Sequence, residues 1–219
     1  MTETPLQEIF HRKISPVDLG VIYSLIIKRI GKGYSASEVS FLMGYEDDAI
    51  SKIEQLNFKI LTIGVLHRYT HVLDDDAVNG IIISDMDEKQ DINYQIIRTT
   101  ERTFIHHEVF EMLPGNSLRQ IFHLFEPNHE SNKLSYSISY EMGIRSTGEI
   151  LRSLLAGVLF QSPQSPWDIY QRCRRLSHSQ SIRPYYVQAV LNDMAQSKEY
   201  PKLKRIKTKK YGYLYEKAF

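Results

Sequence analysis

Lys202-Leu-Lys-Arg-Ile-Lys-Thr-Lys-Lys-Tyr-Gly-Tyr-Leu-Tyr215 reads as two short β-like runs around a basic turn. Helices precede it. Pro184 opens one with Val187, Val190, Leu191 and Met194 at helical spacing, and its opposite face carries Arg183, Tyr185, Gln188, Asn192 and Gln196. Ser165-Pro166-Trp167-Asp168 combines an N-cap, a proline at the first helical position and an acid three residues after the cap, and starts a helix that runs through Leu176. Ser146-Thr147-Gly148-Glu149 has the form of a capping box ahead of the stripe Ile150, Leu151, Leu154, Leu155, Val158 and Leu159. Residues 146–219 are therefore expected to form three helices followed by a two-stranded basic hairpin.

The opposite end of the chain is also helical. Ser15-Pro16-Val17-Asp18 repeats the cap logic, and Leu19, Ile22, Tyr23, Ile26 and Ile30 make an apolar stripe that stops at Gly31-Lys32-Gly33. Ser35-Ala36-Ser37-Glu38 is a second capping box, and the short helix it opens ends at Gly44. A third helix is expected from about Glu46 to Leu56 and a fourth from Leu61 to Leu73. Between the helical ends the period changes to two. Leu134, Tyr136, Ile138, Tyr140 and Met142 alternate with polar residues and read as the clearest strand, while Tyr94–Thr99, Thr103–Met112 and Arg119–Phe125 are β-rich. The expected fold class is α+β and mainly helical, in three parts: residues 1–78 helical, 79–145 a small antiparallel sheet with one solvated face, and 146–219 helices plus hairpin.

The stretch Ile27 to Leu73 resembles the XRE-type, lambda-repressor-like helix-turn-helix family. The resemblance rests on Ser37-Glu38, the turn glycine Gly44, Ile50-Ser51-Lys52-Ile53-Glu54 and the apolar helix Leu61–Leu73. Residues 147–215 resemble the winged-helix superfamily in the order and length of their elements. Together these likenesses imply duplex DNA as partner, transcription regulation as role, and dimerisation, because paired half-sites double the contacts.

Length and composition narrow the classes. The 219 residues are 42% apolar, enough for a real core. The apolar run Leu19 to Ile27 is far short of the roughly 20 residues a membrane helix needs, so no membrane partner is expected. An acidic N-terminus argues against a signal peptide, and a single cysteine, Cys173, supports neither a disulfide framework nor a Cys-rich zinc site, so a cytoplasmic location is expected. The net charge of +1 hides a gradient: residues 1–78 carry 8 basic and 11 acidic side chains, 79–145 carry 6 and 10, and 146–219 carry 13 and 5. A basic end of this kind suits a polyanion.

In the resembled helix-turn-helix family the start of the second motif helix reads bases, and the matching positions here are Asp47 and Asp48, preceded by Glu46. Three acids oppose a phosphate-lined groove but suit a helix N-terminus. Three readings stand: they cap a helix in a fold kept for packing or dimerisation, they read DNA directly by accepting from a cytosine amino group, or they form a docking site for a basic protein partner. The basic end is the better DNA candidate. Gln188 and Asn192 can pair with adenine and Arg183 with guanine, with Tyr185 beside them. Arg172, Arg174, Arg175, Lys204, Arg205, Lys207, Lys209 and Lys210 would neutralise phosphates. The same lysines also suit a solvated edge strand.

His106, His107, His123 and His129, with Glu108, Glu126 and Glu130, cluster in the middle segment. In a strand His106 and His107 face opposite sides, so no metal site is expected. Gly31-Lys32-Gly33 lacks the length and the hydroxyl residue of a phosphate loop, and Cys173 has the spacing of a core residue. Neither an enzyme nor a cofactor is expected. The expectation is a DNA-binding regulator that contacts duplex mainly through its basic C-terminal part, with a homodimer left open. The alternative is a non-enzymatic interaction module, antitoxin-like or an adaptor, whose acidic N-terminal part docks a basic partner.

Overall fold

The computed structural model describes residues 5–56, 61–74, 91–129, 138–177 and 182–218. Among them the chain is mixed α and β, with seven helices, a four-stranded antiparallel sheet and a two-stranded antiparallel sheet. It divides into two compact units that interleave along the chain. One comprises Met1–Gly33 and Lys52–Ser135, the other Tyr34–Ser51 and Tyr136–Phe219. Residues of the Gly44 turn group with the C-terminal half, and β1 near the N-terminus pairs with a strand of the middle segment.

The first unit holds the larger sheet, in the order β1 (Leu6–Ile14), β2 (Ile92–Thr100), β3 (Phe104–Met112) and β4 (Leu118–Pro127). The registers Ile9↔Ile97 and Ile97↔Glu108 align the first three strands. Three strands lie where the β-rich composition put them. The fourth comes from the N-terminus rather than from Leu134–Met142. Ile138–Met142 is helical, and Leu134–Ser137 lies outside the described residues.

On the sheet's buried face, Tyr94, Ile96, Ile105 and Val109 are joined by the ring of Phe122, which stacks on Tyr23 at 4.9 Å. Tyr23 belongs to α1 (Pro16–Gly31), capped by Ser15, whose side chain accepts the Asp18 N–H as the cap pattern requires. Ile22, Leu25, Ile26 and Arg29 share the buried face of α1. α4 (Ile63–Val72), capped by Thr62, adds Tyr69 and Val72.

The second unit contains α2 (Ala36–Leu42), with both halves of the Ser35/Glu38 capping box formed, and the beginning of α3 (Ala49–Glu54). It continues with α5 (Ile138–Ala156), a 3-10 turn at Leu159–Gln161, α6 (Pro166–Leu176), α7 (Pro184–Gln196), β5 (Lys202–Thr208) and β6 (Gly212–Ala218). Leu151, Leu155, Phe160, Ile169, Cys173, Val187, Leu191, Leu203 and Tyr215 are all buried.

The Ser146-Thr147-Gly148-Glu149 box does not start a helix. It lies inside α5, and Thr147 is fully buried. Tertiary contacts override the local signals here. Tyr140 stacks on Tyr185 at 5.8 Å and meets Tyr186 edge-on at 5.9 Å. Gly143 leaves room for the Tyr186 ring, which any added Cβ would strike. The described part of the upstream alternation, Ile138–Met142, therefore folds as a helical start ahead of the box.

Candidate nucleic-acid interface

The basic hairpin is fixed at three points. β5 and β6 pair from Lys202↔Ala218 to Thr208↔Gly212, closing at the turn 209–211. Tyr215, buried on the inner side of β6, exchanges backbone hydrogen bonds of 2.8 and 2.9 Å with Gln164, which forms an isolated bridge just before α6. Near the tip, the Tyr213 N–H donates to the Gly44 carbonyl at 2.7 Å. Gly44 and Gly212 have φ of +74° and +71°, and a Cβ on Gly212 would overlap the Gly44 carbonyl. Glycine is needed there both for its backbone angle and for the close approach.

This docking brings opposite charges together. The Glu46 carboxylate accepts from the Tyr213 hydroxyl and lies 3.5 Å from Lys207 Nζ and 3.7 Å from an Arg205 guanidinium nitrogen. Arg205 in turn covers the Tyr213 ring at 3.7 Å. The Tyr213 hydroxyl first, then Lys207 and Arg205, hold the Glu46 carboxyl below its ordinary range. Beside it, the Gln188 amide of α7 donates to Asp47 at 2.8 Å. Asp48 is exposed next to them.

The N-terminus of α7 is held separately. Arg183, its N-cap residue, pairs at 2.9 Å with Glu38, which is 1% exposed, and lies over the Tyr185 ring at 5.3 Å. Glu38 also accepts the Ser35 N–H at 2.8 Å. One buried carboxylate thus closes the capping box of α2 and anchors the N-cap residue of α7. The capping pattern made Glu38 visible in the sequence, but nothing in it pointed to Arg183.

Gln188, Arg205 and Lys207 therefore converge on Glu46 and Asp47, and Arg183 is turned toward Glu38. Asn192 is half-buried on α7, and Tyr185 is stacked on Tyr140. Arg172, Arg174 and Arg175 are exposed on α6, with Arg174 over the Tyr170 ring at 5.7 Å. Lys204 pairs with Glu216 at 3.2 Å, while Lys209 and Lys210 are exposed at the hairpin turn. The whole unit carries 14 basic and 10 acidic side chains, a net of +4. The remaining 13 basic and 16 acidic side chains give the first unit −3.

The histidines of the first unit separate as strand alternation requires. His106 lies 6.0 Å from His123 on one face, and both rings contact Phe125. His107 is buried on the other face, its Nε2 2.9 Å from a Glu126 carboxylate oxygen. Glu130 lies outside the described residues. Among the described residues no three His, Cys, Asp or Glu side chains converge as metal ligands.

Glu126 belongs to a buried ionic network that sequence reading did not find. Arg29, with no exposed surface, makes two bidentate pairs, with Glu54 at 2.6 and 2.8 Å and with Glu126 at 2.6 and 2.9 Å. The Tyr69 hydroxyl donates to Glu54 at 2.9 Å. Burial pushes the Glu126 carboxyl up, but His107 and Arg29 outweigh it and hold the group well below its ordinary value of 4.5. The missed signal was spacing: Arg29 stands three residues after Ile26 and seven after Ile22, on the apolar face of α1.

Among the described residues no helix is long and apolar enough to cross a membrane. No family model, curated protein or solved structure matches the chain.

Proposed function

We propose that this chain binds duplex DNA through its second unit and acts in transcription regulation. The observation that carries this reading is the order of elements around the basic hairpin. A helix (α5), the Gln164 bridge to β6, two further helices (α6 and α7) and the hairpin β5–β6 follow one another as in a winged helix. In that arrangement α7 is the helix that enters the major groove and the hairpin is the wing that follows the backbone. Lys209 and Lys210 at the turn and the three arginines of α6 are exposed and suited to phosphate. Gln188 and Asn192 carry amides that can read adenine. Arg183 is reassigned from reading guanine to positioning α7, because its guanidinium is committed to Glu38. The rival reading, in which Glu46, Asp47 and Asp48 dock a basic partner, is weakened because Glu46 and Asp47 already have basic and amide partners within their own unit.

The test is a titration of the full chain with a mixed-sequence duplex, followed by fluorescence anisotropy at several salt concentrations. The logarithm of affinity is expected to fall with the logarithm of salt with a slope of about 3 or more, at about 0.9 per neutralised phosphate. Lys209→Glu combined with Lys210→Glu is expected to weaken binding at every sequence and to flatten that slope by about 2. Absence of binding at low salt by the folded protein, or an affinity indifferent to the double reversal, would sink the proposal.

A further inference from the structure

The contact between the Gly44 turn and the hairpin has a consequence for binding. A phosphate oxygen and a carboxylate oxygen make the same demands on their surroundings, namely hydrogen-bond donors and positive charge within reach. Glu46 meets that demand three times over, from the Tyr213 hydroxyl, Lys207 and Arg205. Asp47 takes the amide of Gln188, the kind of group that otherwise reads a base edge. Two consecutive acids thus occupy two neighbouring functions of the proposed DNA surface, backbone neutralisation on the hairpin and base readout on α7.

The arrangement is held by backbone rather than by the charges themselves. The Tyr213 N–H to Gly44 carbonyl bond, and the close approach of Gly44 and Gly212, keep the acids beside the hairpin whatever their ionisation. The charge contacts themselves lie at the surface, where single ion pairs are weak and readily exchanged. A competitor fixed in place but loosely bound is suited to being displaced by a polyanion.

We propose that the anion-binding surface of this chain is centred on Arg205, Lys207, Tyr213 and Gln188, and that Glu46 and Asp47 occupy it internally, so that the free protein holds itself in a self-capped form which a DNA phosphate must displace. This inference rests on the DNA-binding reading above. It predicts that neutralising the cap strengthens binding, the reverse of what a structural or partner-docking role for these acids would give.

Glu46→Gln, alone and with Asp47→Asn, is to be compared with wild-type full chain by anisotropy against the same duplex over a salt series. The comparison variant is Glu149→Gln, which changes the net charge equally but removes an exposed acid of α5 paired with Arg145. The cap predicts roughly 5-fold tighter binding for Glu46→Gln, and a salt slope steeper by about 1 to 2 as Lys207 and Arg205 become available to phosphate. Glu149→Gln is expected to leave both quantities nearly unchanged. If wild-type protein binds and the two variants shift alike, or if Glu46→Gln weakens binding, the cap is wrong while the DNA-binding reading stands. If no variant binds duplex, both fall.

Discussion

Arg29 offers the sharpest test of how the first unit is held together. Its guanidinium has no exposed surface and makes four charge-assisted hydrogen bonds of 2.6 to 2.9 Å to two carboxylates. Arg29→Met keeps much of the volume and removes the charge, leaving Glu54 and Glu126 facing one another inside the protein. At an effective dielectric of about 20, one charge pair at 4 Å is worth about 4 kcal/mol. Stripping one partner from a buried ion network costs about 3–5 kcal/mol, because the partners left behind stay desolvated. Against a total stability of about 5–15 kcal/mol, that loss takes about a fifth or more of what a unit of this size holds.

The assay must report on this unit. The single tryptophan, Trp167, lies in the other one, so urea unfolding is best followed by amide exchange of β2, β3 and β4. A companion variant, Arg29→Met with Glu54→Gln and Glu126→Gln, removes all three charges but retains acceptors for the Tyr69 hydroxyl and for His107. It is expected to recover about half of the loss. A cost below about 1 kcal/mol for Arg29→Met, or a triple variant no better than the single one, would refute the view that charge balance inside the network governs its stability.

Four further outcomes follow from the same structure. Because the Glu126 carboxyl is held below its ordinary 4.5, the stability it contributes is fully present above that pH and is lost as pH falls through and below it. Acid unfolding of β3 and β4 should therefore begin below about pH 5, and Glu126→Gln should flatten that dependence. Gly212→Ala places a side chain at φ +71° against the Gly44 carbonyl and is expected to cost more than about 2 kcal/mol, read from Trp167 fluorescence during unfolding. Gly20→Ala, within α1 with nothing within 4 Å of the added carbon, is expected to stabilise by about 0.5–1 kcal/mol. Burial pushes the Cys173 thiol up to about 12, so its labelling by a disulfide reagent at pH 8 should track global unfolding, and fast labelling of folded protein would contradict its place in the core.

The elements legible in the sequence were those set by local chemistry. The Ser15, Ser35 and Ser165 caps mark three helix starts because a hydroxyl answering an orphan N–H needs only a few neighbouring residues. The basic hairpin was likewise readable from its two β runs and the turn between them. β1 was not, because its inward residues are Phe10, Arg12 and Ile14 with His11 and Lys13 between them, a pattern that looks like a polar leader. Its partner β2 begins 78 residues after β1 ends, and no local period announces a pairing that distant. The strand reading of Leu134–Met142 failed in the opposite direction. A clean alternation in its described part was overruled by Tyr140 packing on two tyrosines of α7.

The candidate site divides along the same line. The residues proposed to meet DNA can be named from composition and face, since the proposal asks of Lys209, Lys210 and the arginines of α6 only that they be basic and exposed. Which of them are engaged by the protein itself cannot be read that way. The acids Glu46 and Asp47 are out of place in the resembled helix-turn-helix motif because that resemblance sets them against DNA alone. In the folded unit they face Lys207, Arg205, Tyr213 and Gln188, residues 141 to 167 positions away. The anomaly in the motif and the surplus of charge on the hairpin are therefore one feature. Each explains the other only once the Gly44 turn and the hairpin are in contact. If the second unit does read DNA, the acids just ahead of α3 do not argue against it, because in the proposed cap they offset the hairpin's charge until a stronger anion displaces them.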